Sequence, residues 1–211
     1  MSYFFELVSN SADSLIRVLS GLSMAIVYGI CLGLLRSSLP MKVKSNLVFN
    51  FILESPKYPP PIAWIPFVIL LMGIGEWSAI TIVFIGAFPP IFTSCYEGIE
   101  RLPKNLFDIS KSFELSKTER LIRIRLMWAL PTLFTGVRIG AGMGWMSVIA
   151  AEMISGQSGL GYSIQLNRLN LQFEYMIYDM ISIGSIGYVI AKFLAWLEKK
   201  IIAWEDSELK C

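Results

Sequence analysis

Long apolar segments constrain this chain more than any other feature of its sequence. The segment from Leu15 to Leu35 contains a single charged residue, Arg17, and about 20 apolar residues are enough for an α-helix to cross the hydrocarbon core of a bilayer. Only 16% of the 211 residues are charged and the mean hydropathy is +0.59, whereas soluble domains carry about 25% charged residues. These features predict an integral membrane protein.

Five apolar segments predict an all-α fold with about five transmembrane helices in one domain that covers residues 1–211. The second segment is shorter than a bilayer requires, so it needs tilt or a partner to cover it. Five prolines in residues 56–66 are expected to break the helix at the start of that segment. The predicted spans are 15–35, 61–75, 77–95, 129–154 and 176–197.

The basic residues predict the orientation of the chain. Fifteen of its 18 Lys and Arg residues lie between the first and second spans, between the third and fourth spans, or at and after the end of the fifth. Loops rich in Lys and Arg stay in the cytoplasm. We therefore expect a multi-pass protein of the cell (inner or plasma) membrane, with its N-terminus outside and its C-terminus and residues 97–128 in the cytoplasm.

The charged connection between the third and fourth spans has the pattern of an ordered element. Leu106, Ile109 and Phe113 have the i, i+3, i+7 spacing of one helix face. Ser116 and Glu119 have the spacing of a capping box, in which each side chain bonds the other residue's amide. The pattern predicts one short helix, a tight turn at the capping box and a second helix.

The second helix of this connection has its own predicted apolar stripe, formed by Leu121, Ile124 and Trp128. Glu119 and Arg123 stand four residues apart and are expected to pair. A solvated loop that only obeys the positive-inside rule is the alternative. Two stripes joined at a capping box favour an ordered docking element.

Two charged residues lie inside the fourth span, where charges are costly and usually functional. Arg138 and Glu152 are separated by about 21 Å along the helix, so they cannot pair with each other. Arg138 either attracts an anionic substrate as an uncompensated guanidinium or extends to the cytoplasmic interface. Glu152 either contacts substrate or bonds a neighbouring span. Glu76 and Asp179 are expected at the outer interface.

The fourth span also carries a row of small residues, Gly136, Gly140 and Gly144, at intervals of four. Glycines on one helix face let two helices approach closely in a membrane. The sequence leaves two positions open for this contact: inside one subunit, or at a seam between two copies.

Residues for catalysis are scarce. The chain has no histidine, and its three cysteines, Cys31, Cys95 and Cys211, lack the spacing of a metal site. It contains no phosphate-binding glycine loop. No enzyme activity, cofactor, metal or nucleic-acid partner is expected, and a secondary transporter or channel that works without ATP is the alternative, although no internal repeat supports it.

Several stretches together resemble one family, the permease subunits of bacterial ABC importers in the nitrate/sulfonate/taurine/bicarbonate group. The similarity covers nearly the whole chain, and the charged connection aligns with the family's cytoplasmic EAA loop. The stretches that carry it are "SLIRVLSGLSMAIVYGICLGLL", "PPPIAWIPFVILLMGIGEWSAI", "GAFPPIFTSCYEGI", "ALPTLFTGVRIGAGMGWMSVIAAEMI" and "SGLGY".

This resemblance implies a type I ABC importer permease that moves a small anion such as nitrate, a sulfonate like taurine, or bicarbonate. It implies three kinds of partner: a second permease copy or a paralogue, two ATP-binding subunits that hydrolyse ATP, and a solute-binding protein. The short helix of the charged connection, residues 105–116, would be a coupling helix that docks in a groove of the ATPase. The residues that the resemblance assigns to this coupling are Leu106, Asp108, Ile109, Ser110, Phe113, Glu114, Ser116 and Lys117.

The chain departs from the family pattern at several positions. The family's Glu-Ala-Ala is Asp108-Ile109-Ser110, its glycine between the two helices is Glu114, and Met127 replaces the first proline of "LPAALP". A residue other than glycine is strained by roughly 1 kcal/mol where the backbone needs a positive φ. The N-terminal span of many relatives is also missing, which either a truncated start or a five-helix core explains.

Overall fold

The computed structural model describes residues 2–103, 105–106, 116 and 119–202, which are predominantly helical and contain no β-strand. The predicted all-helical fold is confirmed. Two 3-10 turns, Ser55–Lys57 and Pro61–Trp64, precede the helix that begins at Ile65, and a π-helical segment, Arg120–Leu126, leads directly into the helix that begins at Met127. The α-helices are α1 (Ser2–Ser38), α2 (Met41–Lys44), α3 (Leu47–Glu54), α4 (Ile65–Met72), α5 (Glu76–Glu100), α6 (Met127–Ser155), α7 (Leu160–Leu169) and α8 (Phe173–Ile201).

Four helical segments within the described residues are long and apolar enough to cross a membrane, and they correspond to four of the five predicted spans. The second predicted span corresponds to the shorter apolar helix Pro61–Met72. Helix α1 begins at Ser2, well before the predicted start at Leu15, and α7 has no counterpart among the predicted spans. The four long segments are Tyr3–Ser38, Glu76–Glu100, Arg120–Ser155 and Phe173–Ile201.

The glycine row of α6 packs against α5 of the same chain. A Cβ atom built on Gly136 would lie 2.5 Å from the Ser94 Cβ, and one on Gly140 would lie 2.8 Å from the Ala87 carbonyl oxygen. Such distances leave no room for a side chain, so the glycines set how closely the two backbones approach. Of the two positions that the sequence left open for this contact, the structure selects the one inside a single subunit.

Helices α1 and α5 are also in close contact, and they run in the same direction. Gly21 lies against Val83 and Gly33 against Cys95, so the positions in contact increase together along both helices. The connection between them must therefore return across the bundle, and α4 runs in the opposite direction to both. Helix α5 lies between α1 and α6 and contributes much of the core.

The two ends of the bundle differ in composition. At one end lie the C-termini of α1, α5 and α8 and the N-terminus of α6; we call it the basic end because most of the described Lys and Arg residues lie there. There, Lys44 pairs with Glu100 and Arg36 with Glu54. The other end, called the opposite end, holds the N-termini of α1, α5 and α8 and the C-terminus of α6.

Helix α4 covers only part of α5. The ring of Pro61 lies beside Gly86, with 3.4 Å between its Cγ and a Cβ built on that glycine. From there α4 runs toward the opposite end and buries Ile65 and Val68 against Ile82. The part of α5 beyond Gly86, about 21 Å long at 1.5 Å per residue, is left without α4. The prolines break the helix before α4, as predicted.

Helix α8 lies at the edge of the bundle. Only Asp179 and Leu194 of this 29-residue helix are buried, and Trp145 of α6 donates a hydrogen bond to the Ile183 carbonyl at 3.2 Å. Its exposed apolar side chains suit contact with lipid or with another chain. They include Ile177, Tyr178, Met180, Ile181, Tyr188, Val189, Phe193 and Trp196.

Candidate translocation and coupling sites

The predicted coupling residues lie mostly outside the described residues. Leu106 and Ser116 are described, and both are exposed. Six others fall outside the described part of the chain, so their assignment stays a prediction. They are Asp108, Ile109, Ser110, Phe113, Glu114 and Lys117.

The predicted capping box is confirmed. The Ser116 amide donates to the Glu119 carboxylate at 3.1 Å, and the Glu119 amide donates to the Ser116 hydroxyl at 3.2 Å. These bonds from Ser116 hold the pKa of the Glu119 carboxyl below its usual value, with a smaller contribution from Arg123. The second helix of the connection therefore begins at this capping box, and Glu119 lies 4.0 Å from Arg123 as expected.

The helix that follows the capping box is π-helical from Arg120 to Leu126, which changes which side chains face the core. A π-helix has a wider turn than an α-helix, with bonds between residues five apart. Leu126 and Leu130 pack against the main core cluster. The predicted stripe is therefore wrong at Trp128, which is 44% exposed, because its α-helical spacing does not hold through the π segment.

A buried ion pair joins α1 to the end of α6. The Arg17 guanidinium donates to the Glu152 carboxylate at 2.8 Å, and both side chains are almost fully buried. The same guanidinium pairs with Glu76 at the start of α5. It also donates to the carbonyl and hydroxyl of Ser158. Arg17 therefore connects α1, α5, α6 and the loop after α6.

Glu152 has a complete set of donors. Besides Arg17, the Ser14 hydroxyl bonds its carboxylate at 2.9 Å and the Gly161 amide donates to it at 2.9 Å. Gly159, with φ +103°, carries the loop past this carboxylate at a distance that no Cβ could occupy. Glu152 thus bonds neighbouring helices. Of the two roles that the sequence left open for it, contact with substrate and a bond to a neighbouring span, the structure shows the second.

Asp179 lies in a second buried polar cluster at the opposite end. It accepts hydrogen bonds from Ser163 and Asn167 of α7 at 2.8 Å each, and from the Tyr3 hydroxyl at 3.0 Å. The side chain of Asp179 is fully buried among these groups, and its expected position at the outer interface stays a prediction. Glu76 is more exposed, as expected, but is paired with Arg17. The second cluster attaches α7 to α1 and α8.

Arg138 is paired rather than uncompensated. Its guanidinium donates to the Glu198 carboxylate of α8 at 2.9 Å and is half-exposed near the basic end. The premise that an isolated positive charge in α6 attracts anions is therefore wrong. The ion pair instead connects α6 to the last turn of α8.

A cleft of about 250 Å³ opens beside the middle of α5, next to the segment that precedes α4. One wall is the middle of α5, including Gly86, Pro89, Pro90 and Thr93, and Met143 of α6 forms part of another. The proline-rich segment before α4 closes it on a third side. A void of this size is many times the volume of one water molecule, so the cleft can hold a small hydrated solute.

Lys57 lies at the proline-rich side of this cleft and carries a positive charge. Its ammonium donates to the Glu54 carboxylate at 3.0 Å, and Arg36 donates to the other oxygen of the same carboxylate at 3.1 Å. The two donated bonds hold the pKa of Glu54 below its usual value, Lys57 contributing more than Arg36. Two cations share one carboxylate, so this triad has one positive charge in excess.

Sequence reasoning missed the roles of Arg17 and Lys57. Arg17 lies inside the first apolar segment, where a charge needs a partner, but the sequence does not show which residues supply one. Lys57 counted only toward the positive-inside pattern, although it directly precedes the prolines of the second span. No group of three or more His, Cys, Asp or Glu side chains within the described residues could hold a metal ion.

Comparisons with known proteins place these features in context. A family profile, described as binding-protein-dependent transport system inner membrane component, matches residues 25–202. The chain is 35% identical over 200 residues to a putative ABC transporter permease of Methanocaldococcus jannaschii, covering 94% of this chain and 74% of that one.

Two further relatives are named for what they transport. The nitrate import permease NrtB of Synechocystis is 34% identical, covering 92% of this chain and 69% of the relative. The bicarbonate transport system permease CmpB of Synechococcus elongatus is 31% identical, covering 90% and 67%.

The fold also resembles a solved structure, an inward-facing conformation of the MetNI methionine ABC transporter. The TM-score is 0.78 at 19% sequence identity, and the superposition covers 94% of this chain and 97% of the other. At this identity the likeness concerns the arrangement of helices alone, and it agrees with the predicted fold class.

Proposed function

Since this chain belongs to the binding-protein-dependent transport system inner membrane components and is a permease subunit of an ABC importer, we propose that it imports a small oxyanion. The observation that carries this proposal is the match over residues 25–202, together with relatives named for nitrate and bicarbonate. Nitrate and bicarbonate are both planar anions with a single negative charge. The proposed substrate class is an anion of this size and shape, and sulfonates such as taurine are a second, larger class.

We propose that two copies of the chain, or this chain and a close paralogue, line one path. Helix α4 covers only part of α5, and the exposed side of α8 is apolar, which supports a second chain as cover for the uncovered faces. Two ATP-binding subunits and a solute-binding protein complete the proposed assembly. The permease itself is not the catalytic subunit, and ATP hydrolysis belongs to its partners.

We further propose that the basic end faces the cytoplasm and the N-terminus lies outside. The support is the concentration of Lys and Arg in the connections at that end and the positive-inside rule. In this orientation residues 97–128 lie on the side where ATP is available. The Arg17–Glu152 pair then lies near the outer surface.

For the path itself, we assign Arg138 and Glu152 to holding the helices that border it. Each carries an ion pair to another helix, Arg138 to α8 and Glu152 to α1. Arg138 is paired one to one with Glu198, and the Glu152 carboxylate has a complete set of donors, so neither offers much to a passing substrate. We propose that Arg138 fixes the position of α6 relative to α8, and that Glu152 fixes the position of α6 relative to α1.

The purified complex tests these proposals together. Native mass spectrometry of a transport-competent preparation should show two permease chains with two ATPase chains, and the complex in vesicles should take up labelled nitrate or bicarbonate only with ATP and binding protein present. A protease should remove a C-terminal tag only in inside-out vesicles. Uptake without ATP, or a single permease chain in the active complex, contradicts the proposal.

Replacing Phe113 with alanine is expected to weaken attachment of the ATPase by about 2 kcal/mol, if this side chain anchors the docking helix. The proposed coupling helix is residues 105–116, with Leu106, Ile109 and Phe113 on the docking face. A helix held in a groove gains most of its binding energy from a few buried apolar anchors. The measurements are copurification of the ATPase and substrate-stimulated ATP hydrolysis.

Lys117→Ala is the control for this prediction. A lysine at the rim acts mainly through long-range attraction, so its effect should decrease as salt is added, whereas that of Phe113→Ala should persist. Membrane insertion should be normal for both. If Phe113→Ala retains its ATPase and its stimulated hydrolysis, the segment is a solvated loop and the coupling assignment fails.

A further inference from the structure

The cleft beside α5 combines features that suit one kind of ligand. Pro89 and Pro90 lie inside α5 and lack a backbone N–H, so the carbonyl groups of Ile85 and Gly86 lose the donor that an α-helix normally provides four residues later. All four residues line the cleft. Its wall therefore contains two backbone acceptors without their helical partners.

The same cleft contains donors. The Thr93 side chain lies in its wall, one turn beyond Pro89, and a hydroxyl can both donate and accept. Lys57 lies at the proline-rich side, where two cations share the Glu54 carboxylate. Positive charge, a hydroxyl and two acceptors that lack their usual helical donor thus surround one volume.

Arg138 does not contribute to this cleft. Met143 lines it from α6, and five residues along an α-helix separate Arg138 from Met143 by about 140° around the axis. Arg138 instead points toward α8, where it pairs with Glu198. Of these two basic side chains, only Lys57 adds positive charge to the cleft.

We propose that this cleft is an oxyanion subsite of the transport path, in which Lys57 balances the anion's charge and the Ile85 and Gly86 carbonyls accept a hydrogen bond from it. The subsite therefore prefers an anion that carries its own O–H or N–H donor. Bicarbonate has an O–H group and nitrate has none, although the two have the same charge and nearly the same shape. This inference rests on the proposed import of a small oxyanion and narrows its substrate toward the bicarbonate type.

Nitrate is expected to bind less well because it has no hydrogen-bond donor for the two carbonyl groups. A ligand that lacks a hydrogen-bond donor leaves the acceptors of the site unpaired. This costs more binding energy than a small difference in the size of the ligand. Nitrate offers acceptors alone, so it repels the two carbonyl oxygens while it attracts Lys57. Bicarbonate satisfies both sets of groups.

The test uses the full chain in membrane vesicles and needs neither ATP nor transport. Cys31, Cys95 and Cys211 are replaced by serine, and Met143→Cys places a reporter thiol in the cleft wall. The rate of its modification is measured with an anionic methanethiosulfonate reagent and with neutral N-ethylmaleimide, at mildly alkaline pH, with added bicarbonate or nitrate. Bicarbonate is expected to slow the modification at concentrations about tenfold or more below those of nitrate.

Lys57→Met on the reporter background is expected to abolish protection by bicarbonate and to slow the anionic reagent, while the rate with N-ethylmaleimide stays the same and shows that the cleft is intact. Lys42→Met, a change of an exposed lysine at the same end, should alter none of these rates. Equal protection by nitrate, or protection that survives Lys57→Met, overturns the proposal. Since the vesicles need not transport, a failure here is distinct from a failure of ATP-dependent uptake.

Discussion

Replacing Arg17 with methionine is expected to lower the free energy of unfolding by about 3–5 kcal/mol. The change removes the cation that faces Glu152, whose carboxylate is almost fully buried, and leaves that negative charge without its counterpart. Breaking one side of a buried ion pair costs more than the pair itself contributes, because the remaining charge stays desolvated. The measurement is a denaturant titration of the purified chain in detergent micelles.

Two variants separate lost charge pairing from lost packing. Arg168→Met changes an exposed arginine of α7 and should leave the titration midpoint nearly unchanged. The double variant Arg17→Met with Glu152→Met should recover part of the lost stability, because it removes both charges. If Arg17→Met unfolds at the same denaturant concentration as Arg168→Met, the ion pair does not hold these helices together.

Gly136→Val is expected to destabilise the bundle by about 2–3 kcal/mol, as overpacking of a tight core does. A Cβ at this position would lie 2.5 Å from the Ser94 Cβ and 2.8 Å from the Pro90 carbonyl oxygen. The second of these contacts is with backbone, so α5 and α6 must move apart. Heating followed by size-exclusion chromatography should show a lower temperature of aggregation.

Gly142→Val is the matched control on the same helix. A Cβ on Gly142 meets nothing within 4 Å, and the change has the same effect on helix propensity as Gly136→Val. Its chromatographic profile should survive heating like that of the unmodified chain. Equal losses for the two variants would mean that valine destabilises α6 by its propensity and that close packing against α5 is not the cause.

Local patterns in the sequence predicted several features correctly. The capping box of Ser116 and Glu119 needs only residues three apart, so the bonds that it forms are fixed by nearby chemistry. The break before α4 follows from proline's missing N–H in the same way. Long apolar segments likewise require helices, because lipid leaves backbone groups no other partner.

Features that depend on distant residues were not predictable. Arg17 is buried because Glu76 and Glu152 pair with it. These partners are 59 and 135 residues away along the chain, and no local pattern shows that they meet. The polar residues before Leu15 did not look like part of a span, yet Tyr3, Asn10 and Ser14 bond to groups from α6 onward. Trp128 was misplaced because a π-helical turn cannot be recognised from α-helical spacing.

Helix α6 and the π segment before it form one unbroken rod from Arg120 to Ser155, and its tightest contact with α5 lies near the middle, at Gly136. A rod that is held most tightly at one place can rock about that fulcrum. At about 1.5 Å per residue, the arm toward the proposed coupling helix and the arm toward Glu152 each measure about 24 Å. A push of about 1 Å on the first arm therefore moves Glu152 by roughly 1 Å the other way, and an ATPase docked at that end would act as a lever on the Arg17–Glu152 pair that it never touches.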